Sequence, residues 1–432
     1  MRTVVTGVFL AVSLLTAAAA AQPADTQLLQ RVVGRALSVD EAVAIALEAQ
    51  PAIQARLSEY AAARLRVDQA LAPLLPQVSA AWTVARGQSS VLGTGAPIAR
   101  TFDDTTFVRA SLSQLIFDFG KTFATTEAVR KRAEVALEDV EFQRQLITLS
   151  VKEAFTNINF SQRLIRVNEQ ALQRAELNLR SARGFFDVGT RPRSDVTRAE
   201  VDVANARVDL IRARNAERFA RVALNTAMGL SPDTPTQVQD NLVYQPTPLD
   251  RERLVADAVR GRPESRQARL RAEEAEALLR RSERDFLPDV LAGGFYGASR
   301  SDFDEVWEIN LTLQWSLFDG GNRIARRREA RSLLDAAQAS IRAVELDIAR
   351  QVEQAAIAVQ EADERIQAAQ VAVVSAVENF RLAQGRFDAG VGTILELTDA
   401  QLALTQAQST EAQALADYRI ELARLQRALG LR

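Results

Sequence analysis

The side chains best suited to chemistry are three acids, Asp195, Glu396 and Asp399, with Arg191 and Arg198 close by in the chain. A shift of 201 residues brings Asp195 onto Glu396 and Arg198 onto Asp399, so these charges recur at equivalent points of a repeat. Their options are narrow. The 432 residues include no His and no Cys, which removes disulfides, thiolate chemistry, Cys/His metal sites and imidazole-based triads. Carboxylates alone catalyse acid–base steps only where a pocket splits their environments, and the uniform sequence around these supplies none. What remains is electrostatic. Acids from several copies gathered at one level favour cations and can hold a blocking multivalent ion. Either Arg191 or Arg198 could bond to Asp399 or Glu396 across neighbouring turns and hold them closed. Gly392 stands where the repeat would place a second Arg191, so any such lock is asymmetric. The competing reading is a solvated face with ordinary intrahelical pairs.

Composition narrows the class of protein. Lys and Arg number 53 against 55 Asp and Glu, a balance that gives no reason to expect nucleic-acid binding. Gly and Pro are sparse, at 19 and 12, and Ala dominates the apolar residues, which suggests long helices. No cofactor is expected. Arg2, the apolar run from Val4 to Leu15 and the small residues Ala17 to Ala21 read as a cleaved signal peptide over 1–21. No Cys stands at the junction to take a lipid anchor.

The elements that must position the acids come from a duplication. Phe117-Asp118-Phe119-Gly120 meets Phe318-Asp319-Gly320-Gly321 at the 201-residue shift, and Phe186-Asp187-Val188-Gly189 meets Phe387-Asp388-Ala389-Gly390. Upstream the offset becomes 212, pairing Pro76 with Pro288, so the first half holds an 11-residue insertion, best placed between Gly87 and Asp104. The repeats span 37–230 and 249–432, joined by a Pro-rich linker over 231–248. Each contains a stretch without breakers that predicts a very long helix, 121–185 and 322–386, and a returning helix, 193–228 and 393–429. Ala52 to Ala72 and Glu264 to Phe286 could stack end to end with the shorter return helices.

Apolar residues in the long helices recur every seventh position. Val151, Ile158, Ile165, Leu172, Leu179 and Phe186 form one seam, and Val352, Val359, Ile366, Val373, Phe380 and Phe387 the other. A sustained heptad implies knobs-into-holes packing. By itself it fits a plain antiparallel rod equally well. The strands decide. Before the second long helix, Trp307, Ile309, Leu311, Leu313, Trp315 and Leu317 alternate with Glu308, Asn310, Thr312, Gln314 and Ser316. One wholly apolar and one wholly polar face over this length predict a membrane-spanning strand with girdle tryptophans at its ends. The expected strands are 77–86, with Trp82, and 106–117 in the first half, and 289–299 and 306–318 in the second. Four strands fall short of the about eight that a closed barrel needs, and an open edge cannot face lipid. Copies must therefore share one barrel, and three would give twelve strands.

These features together resemble the TolC-like outer membrane efflux proteins. The likeness runs from Leu37 to Gly430 and rests on the duplicated plan, the Phe-Asp-x-Gly junctions, and tips reading Phe-Asp-Val-Gly-Thr and Phe-Asp-Ala-Gly-Val-Gly-Thr. It implies a mainly α protein with transmembrane β structure: duplicated antiparallel helical hairpins forming a periplasmic α-barrel, and two β-hairpins per chain in a trimeric, twelve-stranded outer membrane barrel. The implied function is a passive exit duct in the outer membrane of a Gram-negative bacterium. An inner membrane pump of RND, ABC or MFS type would feed it through a periplasmic adaptor. The resemblance also implies that Val188, Gly189 and Thr190 contact the adaptor, with Ala389, Gly390 and Val391 matching only partly, and that the acids lie at a constriction. The alternative is a periplasmic coiled-coil adaptor or structural protein.

Overall fold

A computed structural model describes residues 32, 34–91, 99–246, 248, 250–299 and 304–431; the expected signal peptide lies outside them. The first repeat runs β1 (Ala36–Leu37), α1 (Val39–Ala49), α2 (Pro51–Leu71), β2 (Gln77–Val91), β3 (Ala99–Phe117), α3 (Lys121–Asp187) and α4 (Arg193–Ala227). The second runs β4 (Gln237–Val238), α5 (Arg251–Gly261), α6 (Pro263–Arg284), β5 (Asp289–Ser299), β6 (Asp304–Gln314), α7 (Asn322–Asp388) and α8 (Ile394–Ala428). The long helices α3 and α7 have 67 residues each, about 100 Å at 1.5 Å per residue. Both return helices have 35.

The duplication is visible in the strand register. Gln77 pairs with Ser113 in the first β-hairpin, and the two sequence offsets carry that pair onto Asp289 and Gln314, which also pair. The four strands form one antiparallel sheet in the order β2-β3-β5-β6, with Ala110 opposite Tyr296 where the repeats meet. Two expectations need correction. Strand pairing runs into the insertion, because β2 and β3 remain paired out to Val91 and Ala99. A Gly-, Ser- and Thr-rich run can pair through its backbone with no apolar alternation to announce it. Conversely, β6 stops at Gln314, so Trp315 and Leu317 lie beyond the sheet, and the Trp315 indole N–H donates to the Phe286 carbonyl at 3.1 Å. The cause is position: β3 has a neighbour on either side and reaches Phe117, whereas β6 is an edge strand.

Each Phe-Asp-x-Gly junction is a strand-to-helix turn. Two consecutive residues take positive φ in both repeats, Phe119 (57°) with Gly120 (83°) and Gly320 (68°) with Gly321 (85°). The aspartate caps the helix that follows. Asp118 accepts from the backbone N–H of Gly120 at 2.9 Å and of Thr122 at 2.6 Å, and Asp319 accepts from the N–H of Arg323 at 3.1 Å. Burial opposes the charge on Asp118, yet hydrogen bonds from the Thr122 side chain and the two backbone N–H groups hold its carboxyl below the usual range. A lowered folded pKa gives stability that is full above the ordinary carboxylate pKa and fades as pH falls through the folded value. Asp118→Ala should cost about 1–2 kcal/mol. The loss would be read as a lower thermal midpoint at pH 7, with the gap to the parent protein closing on strong acidification.

The heptad seams are the helix interfaces. Val151, Ile158, Val352, Val359 and Ile366 are buried, as are Ala175, Ala182, Ala362 and Ala369, each three residues after a seam position. Helix α3 packs against α4, α2, α6 and α8, and α7 against α8, α6 and α5. The shorter helices stack end to end as expected. The Gln50 side chain, at the start of α2, donates to the carbonyls of Thr226 and Ala227 that end α4. Gly430, just past α8, abuts Arg262 at the start of α6. The linker straps both hairpins: Leu242 is buried, the Asn159 side chain donates to Asn241 at 3.0 Å, and Arg419 donates to the Asn241 carbonyl at 2.8 Å.

The candidate site at the hairpin tips

Both helical hairpins turn at one end of the molecule. Gly189 (φ 74°) and Gly390 (φ 77°) follow the long helices in left-handed conformation, the usual helix stop for a residue without Cβ. Thr190 N–H then reaches back to the Phe185 carbonyl and Val391 N–H to that of Arg386. Val188, Gly189 and Thr190 of the first tip, and Ala389, Gly390 and Val391 of the second, are exposed, with Val188 at 71% and Val391 at 70%.

Behind them the two tips are bound together. Phe387, Ile394, Leu397, Ala383 and Ala400 form a small core with Phe185 against it, and the Phe185 and Phe387 rings meet edge to face at 5.7 Å. Arg191 closes this core. Its guanidinium carbon lies 4.7 Å from the Phe387 centroid and 5.9 Å from that of Phe185. It donates to the Gly392 carbonyl across the tips at 2.6 Å, and its other terminal nitrogen lies 3.7 Å from Asp195. Gly392 must stay bare, since a Cβ there would come within 2.9 Å of the Phe387 nitrogen.

The structure sorts the candidate charges unequally. Arg191 does link the tips, but through a backbone carbonyl and aromatic faces rather than through Glu396 or Asp399. Its carboxylate partner is Asp195, one turn away on its own hairpin. Glu396 instead lies 3.6 Å from Arg386, and its N–H is capped by the Thr393 hydroxyl at 3.2 Å. Arg198 and Asp399 are exposed, and no ion pair within the chain is found for either among the described residues. Within one chain, and among the described residues, the acids do not gather into a group able to hold a metal ion.

Sequence reasoning missed the aromatic clasp. Phe186 and Phe387 are equivalent by the repeat, yet Phe186 is 41% exposed and Phe387 fully buried; Phe185, one position earlier, packs inward instead. It also missed the polar links below the clasp, where Asn178 donates to Gln401 at 2.7 Å and Gln401 to the Ala171 carbonyl at 3.1 Å. The signal was present on the buried face of α3, where Asn178 stands among Ala171, Ala175 and Ala182. Nearby Arg174 is half-buried, and desolvation lowers its pKa.

At the other end, the sheet has one apolar and one mainly polar face. Trp82 and Trp307 stand on the apolar face in adjacent side-chain rows, both well exposed. Trp315 lies eight residues from Trp307, a separation of about 26 Å at strand spacing, close to the height of a membrane barrel's apolar band. Among the described residues no helix is long and apolar enough to cross a membrane.

A duplicated pair of helical hairpins below an amphipathic four-stranded sheet defines an outer membrane efflux channel, and this chain belongs to the outer membrane efflux protein family, whose profile matches residues 42–230 and 254–431. Among individual proteins, it is similar to the alkaline protease secretion protein AprF of Pseudomonas aeruginosa, 25% identical over 92% of this chain and 85% of AprF. It is similar also to the outer membrane protein TolC of Escherichia coli, 21% identical over 88% of this chain and 79% of TolC. The crystal structure of the outer membrane protein VceC from Vibrio cholerae superposes with a TM-score of 0.77 at 19% identity, covering 91% of this chain and 96% of VceC. The adaptor alternative is thereby set aside.

Proposed function

We propose that three copies assemble into a passive duct that leads substrate from an inner membrane pump, through a periplasmic adaptor, across the periplasm and outer membrane. The supporting observation is the pair of unpaired sheet edges. Strands β2 and β6 are the outer strands of the sheet, and each exposes large apolar side chains, Trp82 and Val84 on one, Ile309 and Leu311 on the other. In lipid such edges must pair. The repeats already show how, because β3 pairs with β5 inside the chain, and β6 and β2 are their counterparts. The helices match this. Val201, Val208 and Val222 leave an exposed heptad stripe on α4, and Ile357, Val371 and Val374 another on α7, each facing away from its own hairpin. Copying the α3 contacts with α6 and α8 across the repeat sets α7 against α2 and α4 of the next copy.

In this assembly the chain is exported by a cleaved signal peptide and carries no lipid. Trp82, Trp307 and Trp315 are the girdle in contact with outer membrane lipid. The tips 188–190 and 389–391 meet the adaptor, and Arg191, Arg198, Asp195, Glu396 and Asp399 surround the periplasmic constriction. The duct performs no catalysis. AprF is named for secretion of a protease and TolC as an outer membrane protein, which leaves both polypeptides and small solutes open as cargo.

The pairing makes a sharp test. Ala110 faces Tyr296 inside the chain, so the two offsets place Leu311 of one copy opposite Val84 of the next. A Leu311→Cys, Val84→Cys double variant has no competing thiols and should give a ladder ending at a covalent trimer on oxidation in membranes. The single variants should give none. A soluble monomer without detergent, or a double variant that never cross-links, would reject the assembly.

A further inference from the structure

The polar face of the sheet carries an anomaly. Ser79, Thr83, Ser111, Ser113, Asn310 and Thr312 follow the expected alternation, but Phe107 and Phe295 stand on the same face by register. Apart from the Leu115–Leu291 pair near the helices and Val306, they are the large apolar side chains on this face over 77–86, 106–115, 289–298 and 305–314, where Ala81 and Ala85 are small. The two rings meet edge to face at 6.2 Å. Arg109 lies on this face beside them, its guanidinium carbon 5.9 Å from the Phe107 centroid, with no carboxylate partner among the described residues. Glu308, directly across from Phe295, is held by the Asn310 side chain at 2.7 Å instead. Opposite Arg109 is Gly297, where a Cβ would fall 2.4 Å from the Val108 carbonyl oxygen and 3.1 Å from the Arg109 Cβ. The two backbones approach closely there, and the Arg109 side chain stands exposed above them.

We propose that Arg109, Phe107 and Phe295 form a binding station on the lumen wall for aromatic anions in transit. This rests on the duct reading above, which turns the polar face inward and sets three copies of the station at one level, opposite Trp82 and Trp307 on the outer face. A guanidinium offers planar, charge-assisted hydrogen bonds to a sulfonate or carboxylate. The two rings supply stacking faces for the aromatic body of the same molecule. A ring of Arg residues also favours anions over cations in a pore, opposite in sign to the acids at the tips. Where a local patterning rule is broken without a packing core to explain it, a functional position is the expected cause. The bland alternative is a cross-strand aromatic pair that only steadies the sheet.

The experiment uses the full-length protein in planar bilayers with 1-naphthalenesulfonate added to the barrel side. The wild-type current should show concentration-dependent interruptions. In Arg109→Gln the half-blocking concentration should rise about tenfold, the loss of one charge-assisted contact, and the reversal potential in a salt gradient should move toward cations. Phe295→Leu should weaken block about threefold without moving the reversal potential. The cation 1-naphthylmethylammonium should not gain potency from Arg109. Should R109Q fail to insert, Arg109→Lys serves instead, keeping ion selectivity while losing part of the block. A wild-type channel that is not blocked, or equal block in wild type and R109Q, overturns the station and leaves the duct standing. If the wild type forms no channel at all, the duct reading fails and the station with it.

Discussion

Alanine in place of Gly229 should destabilise the protein by about 2–5 kcal/mol, the largest single-residue effect expected of so small a change. Gly229 ends α4 with φ of 77°, where an L-residue costs about 1–2 kcal/mol. Space is lacking as well. An added Cβ would meet the Gln50 Cα at 3.0 Å and the Ala49 carbonyl carbon and oxygen at 3.1 Å. These are backbone atoms at the α1–α2 junction, which cannot rotate away, and overpacking of this kind costs a further 1–3 kcal/mol or so. The same movement would pull Gln50 from the carbonyls it caps. Gly430 provides an internal comparison, being the equivalent residue with φ of 78°. Its added Cβ would meet the Arg262 Cγ at 3.2 Å and the Arg262 backbone Cα and N at 3.3 and 3.4 Å, a looser approach than at Gly229. Thermal midpoints of detergent-purified variants should therefore fall more for Gly229→Ala than for Gly430→Ala. Equal losses would show that the left-handed backbone alone matters and that the close approach does not.

Arg191→Ala should loosen the tips and raise single-channel conductance at least twofold. Three contacts vanish together: the hydrogen bond to the Gly392 carbonyl, the stacking on Phe387 and Phe185, and the pairing with Asp195. A hydrogen bond to a charged group is worth about 1.5–3 kcal/mol and a partly desolvated cation–π contact about 1–2. The polar tie at the tips should go with them, while the Phe185–Phe387 contact and the Thr398–Asp202 hydrogen bond remain. Arg191→Lys should lie between, since a lysine keeps the charge but not the planar fork. Arg198→Ala separates an interior lock from one between copies. Arg198 is exposed, with no ion pair found for it within its own chain among the described residues, so a rise in conductance from that variant points to a partner on the next copy. An unchanged conductance in both variants would remove arginine from the gate altogether.

Much of this architecture was legible in the residues because it rests on periodicity. Heptads gave the long helices to within two residues, and the strict alternation around Trp307 and Leu311 fixed the face and register of β6. The short helices α1 and α5 went unread although Ser38 and Glu41 form a capping box and Asp250 caps through its side chain; eleven residues each are too few for a strong repeat. The outer parts of β2 and β3 were hidden because backbone pairing needs no side-chain pattern. The tip was the hardest to read. Repeat equivalence pairs Phe186 with Phe387, but the ring that meets Phe387 from the first tip is Phe185, although the two helices end with equivalent backbone hydrogen bonds. Charge at equivalent positions pointed to carboxylates as the partners of Arg191, whereas a backbone carbonyl needs no particular residue type and leaves no trace in a sequence.

The unequal β-hairpins have a consequence for the surface of the cell. The first remains paired out to Val91 and Ala99, while the pairing of the second ends at Ser299 and Asp304, the counterparts of Gly87 and Asp103. Four further residues on β2 amount to about 13 Å. In the proposed ring of three, tall and short ribbons would alternate, so the mouth would be crenellated rather than level. Whatever approaches the bacterium from outside, an antibody or a phage, would first touch the three taller merlons, and a short peptide tag inserted there would be displayed farther from the bilayer than one placed in the low embrasures between them.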